Sequence, residues 1–403
     1  MELYPHQQFV LSKNPPRHVL AHQTGSGKTV TLLALARENN AKCLIICPKA
    51  LKKQWQEYVS QWNAEHLVMT KEEFKKDAMT LETFDGVIVD EVHLVLGFKS
   101  QMFKALNKYI NGRNIKYRWF ASATPLTSDM MSLYSLLTIL GHTPNYWQFV
   151  NKFFHKIDIN GRTITKPKAH MEEEVKMIID SIGTTLTLDD IAVVPEQLDV
   201  VEFIDLTDEQ KEAIKTIKKT EPEHIVRFTK MHCIEQGLLY GDEYTDDQEF
   251  PSNKTVRIIE LIKIHGKVAI FCRYTKQLHY LKKAIEEANP AKLGHIYIID
   301  GQNKDRHETV QAINADNEAV ALIQSDSSAG YELPTINTAI FASLSFSHIN
   351  HVQARGRFLR INRLKENKYY YLVTEGVDKH VYNTIMNKQD FHAHVFASNI
   401  NND

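Results

Sequence analysis

Short apolar runs recur along the chain, and a segment with helical spacing follows each of them. Residues 18–21 (HVLA) lead through a Gly-rich turn into TVTLLALAREN. Residues 43–47 (CLIIC) lead into PKALKKQWQEYVSQW. Residues 86–89 (GVIV) end on acidic residues, and 117–122 (YRWFAS) run on into MMSLYSLLTIL. Continuous apolar strands alternating with helices predict parallel sheets covered on both faces, an α/β fold. The pattern restarts at 267–274 (KVAIFCRY), then 295–300 (HIYIID), 319–324 (AVALIQ), 337–343 (NTAIFAS) and 368–375 (KYYYLVTE).

Between the two series the pattern changes. FVNKFFHKI gives way to the charged MEEEVKMIIDSI, then to DLTDEQKEAIKTIKKT and FTKMHCIEQGLLYG. Thr207 or Asp208 stands as an N-cap ahead of a helical run. The acidic, turn-rich GDEYTDDQEFPSN reads as an exposed loop. The organisation expected is an α/β domain over 1–150, a mainly helical insertion or linker over 151–250, and a second α/β domain over 251–403.

Composition narrows the class. Of 403 residues, 43% are apolar and 24% charged, which excludes a disordered or fibrous protein. The net charge is −1, so nucleic-acid binding through bulk positive charge is excluded and any such binding needs a local groove. Residues 1–150 hold 17 Lys/Arg against 12 Asp/Glu, a weak sign of a basic track on the first domain. The four cysteines, Cys43, Cys47, Cys233 and Cys272, are too few for a disulfide scaffold and lack the paired spacing of a zinc site. The start shows no secretory signal, and no apolar stretch is long enough to span a bilayer. A soluble, cytoplasmic protein is expected.

Four segments carry chemistry. AHQTGSGKT (21–29) follows an apolar strand and opens a helix, the context of a phosphate-binding loop. Gly25 and Gly27 let the backbone N–H groups of Thr24, Ser26 and their neighbours turn inward around phosphates. Lys28 places a cation on the β/γ-phosphates and Thr29 offers a hydroxyl to Mg²⁺. The strict pattern fails at His22, which leaves a structural Gly-rich turn as the alternative. VIVDEVH (87–93) ends in Asp90, able to hold Mg²⁺, and Glu91, able to activate water. Its distance from Lys28 suits a neighbouring strand of one nucleotide-binding sheet. Ser122 and Thr124, in SATP, put two small hydroxyls at another strand end, which alone carries no meaning. QARGRFLR (353–360) places Gln353, Arg357 and Arg360 on one face if helical. Two such arginines can act as arginine fingers on a γ-phosphate; a solvated basic helix is the alternative.

In this order the four segments resemble a superfamily-two helicase or translocase of the DExH type, and the likeness runs over most of the chain. Residues 4–7, with Gln7 as adenine reader, resemble the Q motif. Residues 47–55 (CPKALKKQW) resemble motif Ia, and 66–74 (HLVMTKEEF) fall at motif Ib. DEVH (90–93), with His93, resembles motif II, and SATP (122–125) motif III. IFCRYTK (270–276) falls at motif IV, with IDGQNKDR (299–306) at the strand-turn that follows. QSDSSAGYELP (324–334), with Gly330 and Glu332, resembles motif V, and QARGRFLR motif VI. The finer resemblance is to the SWI/SNF-like branch, carried by the form of motif Ia, by LYSLLTILGHTPNYWQFVNKFF and by IDLTDEQ. Two departures stand out. His22-Gln23 replaces the usual acidic pair, and TTLTLDD replaces an expected Leu-Arg-Arg run. The chain looks like the compact proteins of this type from bacteriophages and bacteria.

The resemblance implies two RecA-like domains that use ATP and Mg²⁺. It assigns catalysis to Lys28, Asp90, Glu91, Gln353, Arg357 and Arg360, with Thr29 and Asp90 on the metal. Nucleotide would touch Gln7, Thr24, Gly25, Ser26, Gly27, Lys28, Thr29, Gly330 and Glu332. His93, Ser122 and Thr124 would couple the sites. DNA phosphates would meet Lys49, Lys52, Thr70, Arg273 and Ser325. The activity implied is an ATP-dependent DNA helicase or translocase acting on duplex, forked or branched DNA. The alternatives are an RNA-dependent ATPase and an ATP-switched DNA-binding subunit. A monomer is expected, with replication or recombination proteins as possible partners and no membrane.

Overall fold

Two units, Met1–Val193 and Val194–Asp403, divide the chain. The computed structural model describes residues 3–127, 129–159, 162–168, 170–191, 196–241, 246–288, 294–302, 306–327, 331–358 and 365–387.

The first unit runs through α1 (Pro5–Lys13), β1 (Arg17–His22), α2 (Lys28–Glu38), β2 (Cys43–Cys47), α3 (Lys52–Gln61), β3 (Leu67–Thr70) and α4 (Lys71–Asp77). It continues with β4 (Gly86–Asp90), α5 (Gln101–Gly112), β5 (Tyr117–Ala121), α6 (Met131–Leu140) and α7 (Tyr146–Phe153). An antiparallel hairpin of β6 (Phe154–Ile159) and β7 (Arg162–Pro167) follows, then α8 (Glu172–Ile182) and β8 (Gly183–Leu186). Six strands form a parallel sheet in the order β3-β2-β4-β5-β1-β8.

The unbroken apolar runs are explained by burial on both faces. Leu44, Ile46, Val87 and Val89 enter one core cluster, while Cys43, Ile45, Cys47 and Ile88 enter the other. Successive side chains of a strand point to opposite faces, so every position must be apolar. All four cysteines are free and buried, as core thiols.

The second unit holds β9 (Gln197–Ile204), α9 (Asp208–Thr220), α10 (His224–Glu235), the short pair β10 (Leu238–Leu239) and β11 (Gln248–Glu249), and α11 (Asn253–His265). Then come β12 (Val268–Cys272), α12 (Thr275–Ala288), β13 (Ile296–Ile299), α13 (Arg306–Ala315), β14 (Val320–Gln324) and β15 (Thr338–Phe341). The described elements end with α14 (His348–Gly356), β16 (Asn367–Thr374) and α15 (Val377–Met386). Its sheet is also six-stranded and parallel, ordered β13-β14-β12-β15-β16-β9. Both units are parallel α/β layers.

The segment 151–250 holds helices α8, α9 and α10 beside strands β6 to β11, and the boundary between the two units falls inside it. Within it, β8 closes the edge of the first sheet and β9 the edge of the second. Thr207 is the N-cap of α9, accepting the Gln210 N–H in a capping box. Helix α10 is tied to α15 by Glu235, whose carboxylate accepts the N–H groups of Val377 and Asp378 at 2.9 Å each.

Candidate functional site

The C-terminal end of β1 is where the first unit concentrates its unusual backbone. Gly25 and Gly27 have φ of 90° and 79°, a region that L side chains avoid. Gly27 is doubly constrained, because a Cβ there would lie 2.5 Å from Nε2 of Gln7. That amide donates to the Gly27 carbonyl at 3.1 Å, and its oxygen accepts the Tyr4 N–H at 2.9 Å. Gln7 is therefore buried against the back of the loop. One amide hydrogen and one lone pair remain for a further contact.

Lys28, the first residue of α2, donates to the carbonyls of His22 (2.9 Å) and Gln23 (3.4 Å). Ser26 is buried, and its hydroxyl has no partner among the described residues. Thr24 and Thr29 are half-buried. His22, where an acid was expected, is fully buried with Nε2 at 2.7 Å from the Thr184 hydroxyl on β8. His18 reaches the same hydroxyl at 3.2 Å. Burial and the nearby Lys28 push His22 down to about 3, so it stays neutral. It does not substitute for a carboxylate; it joins β1 to β8.

Asp90 ends β4. The distance argument from sequence made β1 and β4 neighbours; in the sheet β5 lies between them. Ser122, just beyond β5, occupies that gap. The Asp90 carboxylate is buried, and burial with the adjoining Glu91 pushes it up to about 6, against the pull of the Trp55 indole and Lys28. Glu91 takes φ 51°, a strained left-handed conformation for a non-glycine residue. Its Oε2 lies 2.9 Å from Ser122 Oγ and 3.4 Å from His93 Nδ1. His93 Nδ1 is 3.0 Å from the same hydroxyl, which also accepts the Thr124 N–H at 3.1 Å. Carboxylate, imidazole and hydroxyl thus meet at one point, and burial holds His93 down at about 4. The Thr124 hydroxyl is buried without a partner among the described residues.

A buried carboxylate, Asp90, with the half-buried Glu91 next to it and a lysine nearby, suits a divalent cation, since two adjacent acids call for positive charge. Asp90, at the end of β4, and the half-buried Thr29, in the first turn of α2, are the residues to which the resemblance gives the role of holding it. Among the described residues no cluster of three His, Cys, Asp or Glu side chains forms a metal cage.

The expected phosphate-contacting residues are not equally exposed. Lys49 is exposed. Lys52 is paired with Glu73 at 2.6 Å, and Glu73 in turn accepts the Thr70 N–H at 2.8 Å. Thr70 caps α4, accepting the Glu73 N–H at 3.2 Å. The T-x-x-E spacing of a capping box was legible in TKEE.

In the second unit, Arg273 donates to Asp326 at 2.9 Å and lies 4.1 Å over the Phe346 ring. Asp326 also accepts from Ser345 (2.8 Å) and Asn350 (2.9 Å). Ser325 is buried, its hydroxyl without a partner among the described residues. Glu332 is exposed. The helix expected to carry Gln353, Arg357 and Arg360 on one face ends earlier: α14 stops at Gly356 and Arg357 is its C-cap. Gln353 and Arg357 are buried, and Arg357 donates to the Tyr331 carbonyl at 2.8 Å. Gly330 and Arg360 lie outside the described residues. Sequence reasoning missed Arg355, which binds Asp199 on β9 and the Tyr371 hydroxyl, each at 2.6 Å. It also missed Trp55, whose indole N–H donates to Asp90 Oδ2 at 2.9 Å.

Comparison with known families agrees with this layout. The SNF2-related domain matches residues 65–245 and the helicase conserved C-terminal domain matches 253–362. The family described as type III restriction enzyme, res subunit, matches 1–81, which includes the Lys28 loop. The SNF2-related and helicase C-terminal matches follow one another along the chain without overlap. A chromodomain-helicase-DNA-binding protein 1-like from Danio rerio is 20% identical over 93% of this chain. The chain spans 41% of that relative's length. A Sulfolobus solfataricus SWI2/SNF2 ATPase core, solved in complex with dsDNA, is 19% identical with a TM-score of 0.42, covering 99% of this chain and 94% of that one. No described helix is long and apolar enough to cross a membrane.

Proposed function

We propose that the protein is a DNA-dependent ATPase that spends ATP hydrolysis on moving along or remodelling DNA, whether duplex, forked or branched. The observation that carries this reading is the meeting of Glu91, His93 and Ser122 beside the Lys28 loop. That arrangement joins a phosphate cradle, an acid able to activate water and a contact to the next strand end. The SNF2-related match favours DNA as the polymer.

In this reading Lys28 leaves the His22 and Gln23 carbonyls for the β/γ-phosphates. The N–H groups from Thr24 to Lys28 surround those phosphates, and Gln7 offers its remaining amide capacity to adenine. Mg²⁺ would be held by Thr29 and Asp90 and would neutralise phosphate charge. Glu91 orients and deprotonates the attacking water. Ser122, Thr124 and His93 register the state of Glu91 and pass it on. Arg357, with Gln353, Glu332, Gly330 and Arg360, keeps the catalytic and nucleotide-contacting role that the resemblance assigns to it. Lys49, Arg273 and Ser325 contact DNA phosphates. Lys52 and Thr70 act there only if Glu73 gives them up.

The test is steady-state ATP hydrolysis without nucleic acid and then with duplex DNA, single-stranded DNA, forked DNA and RNA. Stimulation by DNA is the expected result. Stimulation by RNA alone overturns the DNA reading.

A further inference from the structure

Both oxygens of the Asp90 carboxylate are held. Oδ1 accepts the N–H of Glu91 at 3.0 Å, a contact to the next residue in the chain. Oδ2 accepts the indole N–H of Trp55, 35 positions away, at 2.9 Å. The terminal torsion of an aspartate is a broad rotor, so a neighbour's N–H alone fixes it poorly. Trp55 supplies the second constraint from a different element. Its ring is 1% exposed and sits in the apolar cluster with Ile45, Cys47, Val59 and Ile88. Packing therefore presets the direction of its N–H. Indole nitrogen is a donor only, and burial obliges it to find an acceptor.

We propose that Trp55 is the positioning residue for the Asp90 carboxylate and that α3 sets the aim of that carboxylate through it. The inference rests on the reading of Asp90 as the Mg²⁺-bearing acid. Helix α3 has two faces. Trp55 and Val59 are buried, while Lys53, Gln56 and Glu57 are exposed and the exposed Lys49 lies just ahead of the helix. A displacement of α3 carries the indole with it, and the carboxylate must follow or lose its bond. A polyanion that engages the exposed face of α3 thereby acts on Asp90 without touching it. Trp55 meets neither nucleotide nor polyanion; it acts through Asp90.

The test uses the full chain. Trp55→Phe keeps a ring in the core and deletes the N–H. The Mg²⁺ concentration for half-maximal ATP hydrolysis is expected to rise ten- to a hundredfold, about the loss seen when an outer partner of a metal ligand is removed. ATP binding measured without Mg²⁺ is expected to stay unchanged. A second readout needs no turnover. The ¹⁵N-labelled wild-type chain has four tryptophans and so four indole N–H signals. The one absent from Trp55→Phe is expected to move on adding Mg²⁺ with a non-hydrolysable ATP analogue, and also on adding duplex DNA alone. If that variant does not fold, Asp90→Asn identifies the signal by displacing it. Unchanged Mg²⁺ dependence in Trp55→Phe, or an indole signal indifferent to both additions, overturns the proposal while leaving the ATPase reading standing. A wild-type chain that hydrolyses no ATP overturns both.

Discussion

At Lys28 the ammonium already rests on two backbone carbonyls, so a phosphate must compete with His22 and Gln23 for it. We expect Lys28→Ala to abolish ATP hydrolysis while circular dichroism stays native. Glu91→Gln should still bind a fluorescent ATP analogue, with turnover lowered about 10²- to 10⁴-fold, the usual worth of a positioned general base. Thr70 separates two readings of one residue. As the cap of α4, Thr70→Ala costs about 1 kcal/mol in chemical denaturation, and DNA affinity holds. A loss of DNA affinity without loss of stability would restore it as a phosphate contact. Lys28, Glu91, His93 and Ser122 could be picked out in sequence as candidates because their spacing within a motif is local. The Trp55 contact was not, since nothing in CPKALKKQW says which of its residues meets a strand end 35 positions on. The neutralisation of Lys52 was half-legible: TKEE announced the cap, but not that its Glu73 would also take the lysine.

At the scale of elements, the seam between β1 and β8 is the one the apolar pattern did not announce. GTTL is short and polar, and an edge strand needs neither length nor a continuous apolar run. Close approach takes the place of hydrophobicity there. A Cβ on Gly183 would lie 2.2 Å from the Val19 carbonyl oxygen, backbone that cannot give way. We expect Gly183→Ala to destabilise by about 1–3 kcal/mol, the usual cost of overpacking, read as a lowered denaturation midpoint. Thr184→Val should cost about as much by another route, since two buried imidazoles lose the hydroxyl they share. Strand β9 escaped for a similar reason. QLDVVEFI has exposed apolar positions, Phe203 among them at 59%, and it joins its sheet at an edge. Apart from β13 at the other edge of the second sheet, the strands that pattern alone reached are the inner ones of both sheets.

For the whole molecule, buried histidines set the response to acid. His18 and His22 in the first unit are held down at about 4 and about 3, and His351 in the second at about 3. In the unfolded chain each takes a proton near its ordinary value of 6.5, whereas the folded chain does not. Lowering the pH below 6.5 therefore favours unfolding, by about 1.4 kcal/mol per pH unit for each imidazole until its folded value is reached. Above 6.5 these groups contribute no slope. Amide-exchange protection factors, referred to the intrinsic rate at each pH, should fall more in β1 than in β12 between pH 6.5 and 4.5; an equal fall would show that other groups dominate.

The β1–β8 seam also has a mechanical meaning. Four parallel rungs run from Val19–Gly183 to His22–Leu186, and Gln23 extends the seam by binding the Leu186 carbonyl and the Leu188 N–H, each at 2.9 Å. Residues 186–191 are the last described stretch before the unit boundary at 193. A pull on the chain there runs along β8 and loads all four rungs in shear at once, instead of peeling them one by one. The first backbone it meets beyond the strand is the turn that carries Gly25, Gly27 and Lys28. Tension on β8 is thus tension on the turn that carries Gly25, Gly27 and Lys28, so the seam and that turn form one mechanical line.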